Sequence, residues 1–218
     1  MENRMDMFVS DRNNLLFTIG RLLERLGHLF QKEIIVQHKL LLHSYSYQQT
    51  TDYTCGPASL VTLLHYYGFY GDELMIATEM GTRDRSHKNP GTSPQQMVDW
   101  LETHGFSVVW GEGATGDREG LRIIRESLIN RNPILVEWID WGGHWALVVG
   151  YLSGGKSDGS EDTIILADPA AHYIGNKSGL TYANAERFYS MWFDAFCFEK
   201  IMRRTYIIAT PRQGQTQR

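Results

Sequence analysis

The stretch QQTTDYTCGPASLVTLLHYYG, residues 48–68, decides how the rest of the chain is read. Ala58, Leu60, Val61, Leu63, Leu64 and Tyr67 make a wide apolar stripe with the period of a buried helix. Gly68 stands where a C-capping glycine is expected. Pro57 suits the first turn, where its missing N–H would have no partner anyway, and Gly56 permits close approach of backbone or substrate. Cys55 therefore sits at the threshold of the helix. Free backbone N–H groups and the positive end of the helix dipole favour an anion there, which lowers a thiol pKa and makes thiolate available near neutral pH. A free cysteine more often serves as a small buried hydrophobe, so Cys55 by itself does not decide function.

Two further segments do. In NPILVEWIDWGGHWALVVGY, residues 132–151, Ile134 to Ile139 reads as a strand and Gly142-Gly143 as a turn. Trp145 to Val149 reads as a nearly all-apolar strand with His144 at its entrance. The two glycines leave the His144 ring approachable. In TIILADP, residues 163–169, a buried strand ends in Asp168, and Pro169 stops it from continuing. A carboxylate at a strand end is often a turn former. Yet Cys, then a distant His, then Asp is the order in which imidazole deprotonates a thiol and a carboxylate orients the imidazole.

Gln49, Cys55-Gly56-Pro57-Ala58, Gly143-His144-Trp145-Ala146 and Asp168-Pro169 resemble the motifs of C39-like cysteine peptidases, a branch of the papain-like superfamily. Gly91-Thr92-Ser93-Pro94 with Met97 and Leu101 resembles that family's middle helix. The resemblance covers about Tyr47 to Pro211. It implies an α+β papain-like fold, helices packed on a mostly antiparallel sheet, and a Cys55-His144-Asp168 triad. It also implies that Gln49, six residues before Cys55, helps form the oxyanion hole. The best-known members are transporter domains that cut leader peptides after paired glycines. This sequence shows no transporter segments and no nucleotide-binding motif, so that role does not carry over.

With 218 residues, 42% hydrophobic and 21% charged, the chain fits one globular domain with ample length for a core. A net charge of −4 gives no nucleic-acid footprint. The two cysteines, Cys55 and Cys197, leave no internal disulfide if Cys55 is the nucleophile, which fits a reducing compartment. No stretch is apolar enough to span a bilayer. Glu2, Asp6 and Asp11 stand where a signal peptide would be basic, so a cytoplasmic protein is expected. The eight histidines and two cysteines show no zinc-ligand spacing, and neither metal nor cofactor is expected.

Residues 1–46 read as an N-terminal helical extension, 47–211 as the catalytic domain and 212–218 as a disordered tail. Leu15, Leu16, Ile19, Leu22, Leu23, Leu26 and Phe30 share one helical face, capped by Asp11 or Asn13, which packs on the domain or binds a partner. Residues 34–42 fit neither helix nor strand clearly. Helices are expected after Asp72, after Ser93-Pro94 and from Asp117 or Arg118, with an aromatic-rich helix over Thr181–Phe193. Strands are expected at Phe106–Trp110 and Thr205–Thr210. The charged run 82–91 reads as a solvated loop that could border the cleft, and 153–162 as a mobile hairpin tip lacking a full calcium-loop pattern.

The expected activity is cleavage of a peptide, protein or small acyl-amide through a thioester acyl-enzyme. The alternative passes the acyl group to an amine or thiol acceptor, using the same residues. A silent binding module is a third reading, but it has no chemical need of Gln49, Cys55, His144 and Asp168 together.

Overall fold

Local chemistry sets the helix starts. Asp72 accepts a hydrogen bond from the Met75 N–H and opens α2 (Glu73–Met80), which follows α1 (Cys55–Tyr66). Ser93 and Gln96 form a reciprocal capping box, with Pro94 beginning α3 (Pro94–Thr103). The computed structural model describes residues 39–113, 119–194 and 201–214. The N-terminal amphipathic face, Cys197, the start proposed at Asp117 or Arg118 and the last four residues of the tail lie outside them.

The described strands are β1 (Lys39–Leu41), β2 (Phe106–Gly111), β3 (Ile134–Trp138), β4 (His144–Leu152), β5 (Thr163–Ala167), β6 (Leu180–Asn184), β7 (Phe193–Asp194), β8 (Met202–Arg203) and β9 (Tyr206–Pro211). Two further helices, α4 (Glu119–Ile129) and α5 (Ala185–Met191), complete an α+β fold. The main sheet runs β2-β9-β3-β4-β5-β6, and its described pairings are antiparallel. β3 covers His144 to Val148 of β4, and β1 takes over opposite Gly150 to Leu152. The carbonyl of Leu40 would lie 2.3 Å from a Cβ at residue 150, so only glycine admits β1 there.

Strand alternation divides the core. Leu135, Trp145, Leu147, Ile165 and Ile207 pack against α1, α2 and α3. Ile134, Val136, Trp138, Val148 and Leu166 face Leu121, Ile124 and Leu128 of α4 and Phe188 of α5. Covered on both faces, β3 and β4 read as continuous apolar runs. α1 goes beyond a stripe: Cys55 to Leu64 are buried without interruption, so it is the central helix.

One expectation changes, and two other segments gain definition. Thr181–Phe193 is not one helix: Leu180–Asn184 pairs with β5, and Asn184 accepts from the N–H groups of Glu186 and Arg187 to start α5. The ladder to β5 overrides the helical pattern. Residues 39–41, left unassigned from sequence, form β1 ahead of the stretch that carries the family motifs. The 153–162 connection is pinned at its base by buried Asp162, which accepts from the Gly154 N–H at 3.0 Å and faces Arg125 at 3.4 Å.

Candidate active site

α1 begins on the nucleophile candidate itself. Its N-cap, Thr54, makes no side-chain cap; the Thr54 hydroxyl is drawn instead to Glu73 and Thr51. Glu73 also accepts the Thr50 N–H at 2.9 Å. This buried carboxylate therefore clamps the turn before Cys55 and draws the Thr54 hydroxyl away from the first N–H groups of α1. A Cβ on Gly56 would meet Thr92 at 3.1 Å and Trp145 at 3.4 Å, which explains the small residue beside Cys55.

His144 enters from the sheet. Trp141, Gly142 and Gly143 all have positive φ, so the chain makes a left-handed approach just before β4. A tryptophan in that region is strained, as is common beside functional sites. His144 is hydrogen-bonded to Cys55. Its Nε2 lies 2.9 Å from Asp168 Oδ1, which leaves Nδ1 for the thiol. Asp168 Oδ1 also accepts the Ala170 N–H at 2.9 Å, and Oδ2 accepts the Thr181 hydroxyl at 2.7 Å. Cys55, His144 and Asp168 thus lie in one buried hydrogen-bonded run.

Burial pushes the Cys55 thiol up, but the hydrogen bond and charge of His144, with backbone hydrogen bonds from Trp145 and Gly56, leave it below its ordinary value. Burial pushes His144 down, and its hydrogen bonds to Asp168 and Cys55 with both their charges reverse this, so it is pushed up to about 10. Asp168 is raised by burial and drawn net below its usual range by His144, Thr181 and Ala170. The arrangement favours a thiolate–imidazolium pair. Iodoacetamide labelling of Cys55 should accordingly fall only when acid protonates the thiolate below the ordinary thiol range. It should stay high at alkaline pH, whereas turnover should drop near pH 10 as His144 loses the proton needed by the leaving amine. Labelling that rises only through pH 8–9, as in a free cysteine, would remove the ion pair.

Gln49 is buried and anchored, its N–H donating to the Pro169 carbonyl at 2.9 Å. Its Nε2 donates to the Thr51 carbonyl at 2.7 Å, and Gln49 is not among the residues that line the pocket at Cys55. It makes no hydrogen bond to Cys55, His144 or Asp168. Neighbouring Gln48 donates to the Asp168 carbonyl at 2.9 Å and accepts the His172 N–H at 2.8 Å, so it braces the acid's loop. Sequence reasoning missed this brace, as well as Thr181 and Glu73, because each acts through a partner distant along the chain.

A small cleft opens at Cys55, lined also by Thr92, Glu137, Gly143 and Trp145. The charged loop does border it, through Arg85, Pro90 and Gly91. Arg85 pairs with Asp52 at the pocket mouth, 3.2 Å apart.

A sequence profile of the Peptidase_C39 like family matches residues 41–194. No functionally curated protein matches the chain. Among solved structures, the peptidase domain of Streptococcus ComA, a bifunctional ABC transporter involved in quorum sensing, superposes with a TM-score of 0.57 at 19% identity, over 78% of this chain and 100% of that one. A C39-like peptidase from Bacillus anthracis gives 0.54 at 15% identity, over 81% and 99%. A double glycine motif protease from an AMS/PCAT transporter, in complex with the leader peptide, gives 0.50 at 15% identity, over 80% and 99%. These likenesses concern the fold.

Proposed function

The chain belongs to the C39-like peptidase family, and from that premise we propose that it is a cysteine peptidase or amidase working through Cys55, His144, Asp168 and Gln49. The observation that carries the reading is the hydrogen-bonded run from Cys55 through His144 to Asp168, with a pocket at the thiol. The Cys55 thiolate attacks an amide carbonyl, and the second N–H of the Gln49 amide, with the Cys55 backbone N–H, holds the resulting oxyanion. The C–N bond breaks as His144 gives its proton to the leaving amine. Water, deprotonated by His144, then attacks the thioester, releasing the acid and restoring the thiolate. Asp168 keeps the imidazole in the tautomer and orientation both steps need.

A peptide substrate is favoured, in keeping with the leader peptide held by the double glycine motif protease. A free thiolate nucleophile fits a reducing compartment such as the cytosol.

The test exposes the protein to a library of peptides and acyl donors, with and without added amines, followed by intact mass and peptide mapping. An acyl group on Cys55 that passes to water is expected, together with iodoacetamide labelling of Cys55 ahead of Cys197. Passage to the added amine alone would change the reaction to acyl transfer. Labelling of Cys197 first, with no acyl group on Cys55, would defeat the proposal.

A further inference from the structure

β3 reads Ile-Leu-Val-Glu-Trp, and all five residues are buried. Glu137 is the one polar side chain among them, 2% exposed. It stands opposite Trp145 in β4, on the face that carries Leu135 toward α1. That alternation brings its carboxyl to the wall of the Cys55 pocket. Among the described residues no N–H group, alcohol or cation donates to its Oε2. Its neighbour is another buried acid, Asp194 of β7, to which it is hydrogen-bonded. The basic residue on the pocket wall, Arg85, is already committed to Asp52 through its Nε at 3.2 Å and its Nη2 at 2.7 Å.

A glutamate in a dry strand beside a second carboxyl is a poor structural choice. Burial first, then Asp194 and the charge on Cys55, hold Glu137 well above the ordinary carboxyl range. A leucine or methionine would fill the same volume without burying a second acid. Violations of this kind are expected where a ligand supplies the missing partner. Among the described residues, none supplies the Glu137 carboxyl with N–H groups or a positive charge. A cation arriving beside Glu137 would favour its ionised form, the proton leaving to solvent.

Building on the cysteine amidase reading, we infer that Glu137 is the acceptor for a protonated amine or guanidinium that the substrate carries next to the carbonyl attacked by Cys55. The cation comes either from a Lys or Arg side chain or from a free α-amine. In both cases it displaces solvent from the pocket and faces the Glu137 carboxylate on its wall. Glu137 thereby sets specificity, while the bond-making groups stay those already described.

Two pairs of nitriles test this. A thiolate adds to a nitrile carbon to give a thioimidate: the S–C bond forms, and the nitrogen takes the proton held by His144. The first pair is Nα-acetyl-lysine nitrile and Nα-acetyl-norleucine nitrile, which differ in the terminal ammonium. The second is aminoacetonitrile and N-acetylglycine nitrile, which differ in the free α-amine. The readout is the concentration that protects Cys55 from iodoacetamide.

In at least one pair the amine-bearing member should protect at roughly tenfold lower concentration than its neutral analogue, the scale of one charge-assisted hydrogen bond. The pair that responds tells side chain from terminus. Glu137→Gln, which keeps the shape and removes the charge, should cut that preference to under about threefold while Cys55 still labels. Equal protection within both pairs would overturn the inference, and so would a preference that survives Glu137→Gln. Should the variant fail to fold, the comparison within the native chain still decides. Loss of the amine preference with normal Cys55 labelling leaves the peptidase reading standing. A Cys55 that neither labels nor forms any thioimidate brings down both.

Discussion

Cys55→Ala should leave no measurable turnover, and His144→Ala should lower kcat/KM by about 10⁴-fold or more while the chain stays folded. On the proposed mechanism, the first removes the sulfur that forms the acyl-enzyme. The second removes both the partner that holds the thiolate and the proton donor for the leaving amine. His144→Ala also leaves Asp168 without one donor, yet the Ala170 N–H and the Thr181 hydroxyl remain on its two oxygens. The stability loss should stay within about 1–3 kcal/mol, well inside the margin of an ordinary domain. Circular dichroism and thermal melting check that, and full activity in a folded His144→Ala variant would take His144 out of the mechanism. Asp168→Asn should lose less. The Ala170 N–H and the His144 ring both converge on Oδ1, so the new amide would keep its oxygen there and turn its NH₂ toward Thr181, whose hydroxyl can accept. The imidazole keeps its orientation and loses only the neighbouring charge.

Gln49→Ala is expected to lower kcat by roughly 100- to 1000-fold, the range for deleting one oxyanion donor. KM should barely change, because the donor meets charge that develops only in the transition state. Iodoacetamide labelling should survive, since alkylation builds no oxyanion at a carbonyl. Gln48→Ala is the comparison, and the structure changes what it should do. From sequence only a mild effect is expected of it; in the fold it ties the Asp168 carbonyl to the His172 N–H. It should therefore lower the melting temperature and cost a few-fold in rate, roughly the effect of one or two ordinary hydrogen bonds. A larger kcat loss for Gln48→Ala at unchanged stability would move the oxyanion donor by one residue. No effect from either variant would place the oxyanion hole elsewhere.

The sequence carried the parts whose causes are local or strongly patterned. Asp72 and Ser93 announce their helices by capping chemistry that acts within three residues. The apolar runs of β3 to β5 follow from burial on both faces. Cys55, His144 and Asp168 were legible as a chain order, and the fold brings them into contact. What stayed hidden depends on pairing across distance. β6 looks helical until β5 lies beside it. Residues 39–41 become a strand only because β4 outruns β3. Glu137 looks like a routine charged residue until its strand is enclosed on both sides. Glu73 acts on a turn some twenty residues earlier, and nothing in its own neighbourhood marks that role.

β9, the last described strand in sequence, lies inside the sheet, between β2 and β3. During synthesis the ribosome therefore delivers both flanks of that gap long before the piece that fills it. Until residue 211 has emerged, β2 and β3 each hold an open row of N–H and C=O groups, and β3 carries Glu137 toward the pocket. Such edges recruit other strands and invite aggregation, and long-range closure is slow. The nascent chain has Cys55 early and this sheet only once β9 is made, so a ribosome stalled short of β9 would present a sticky, incomplete domain for chaperones or proteases to handle.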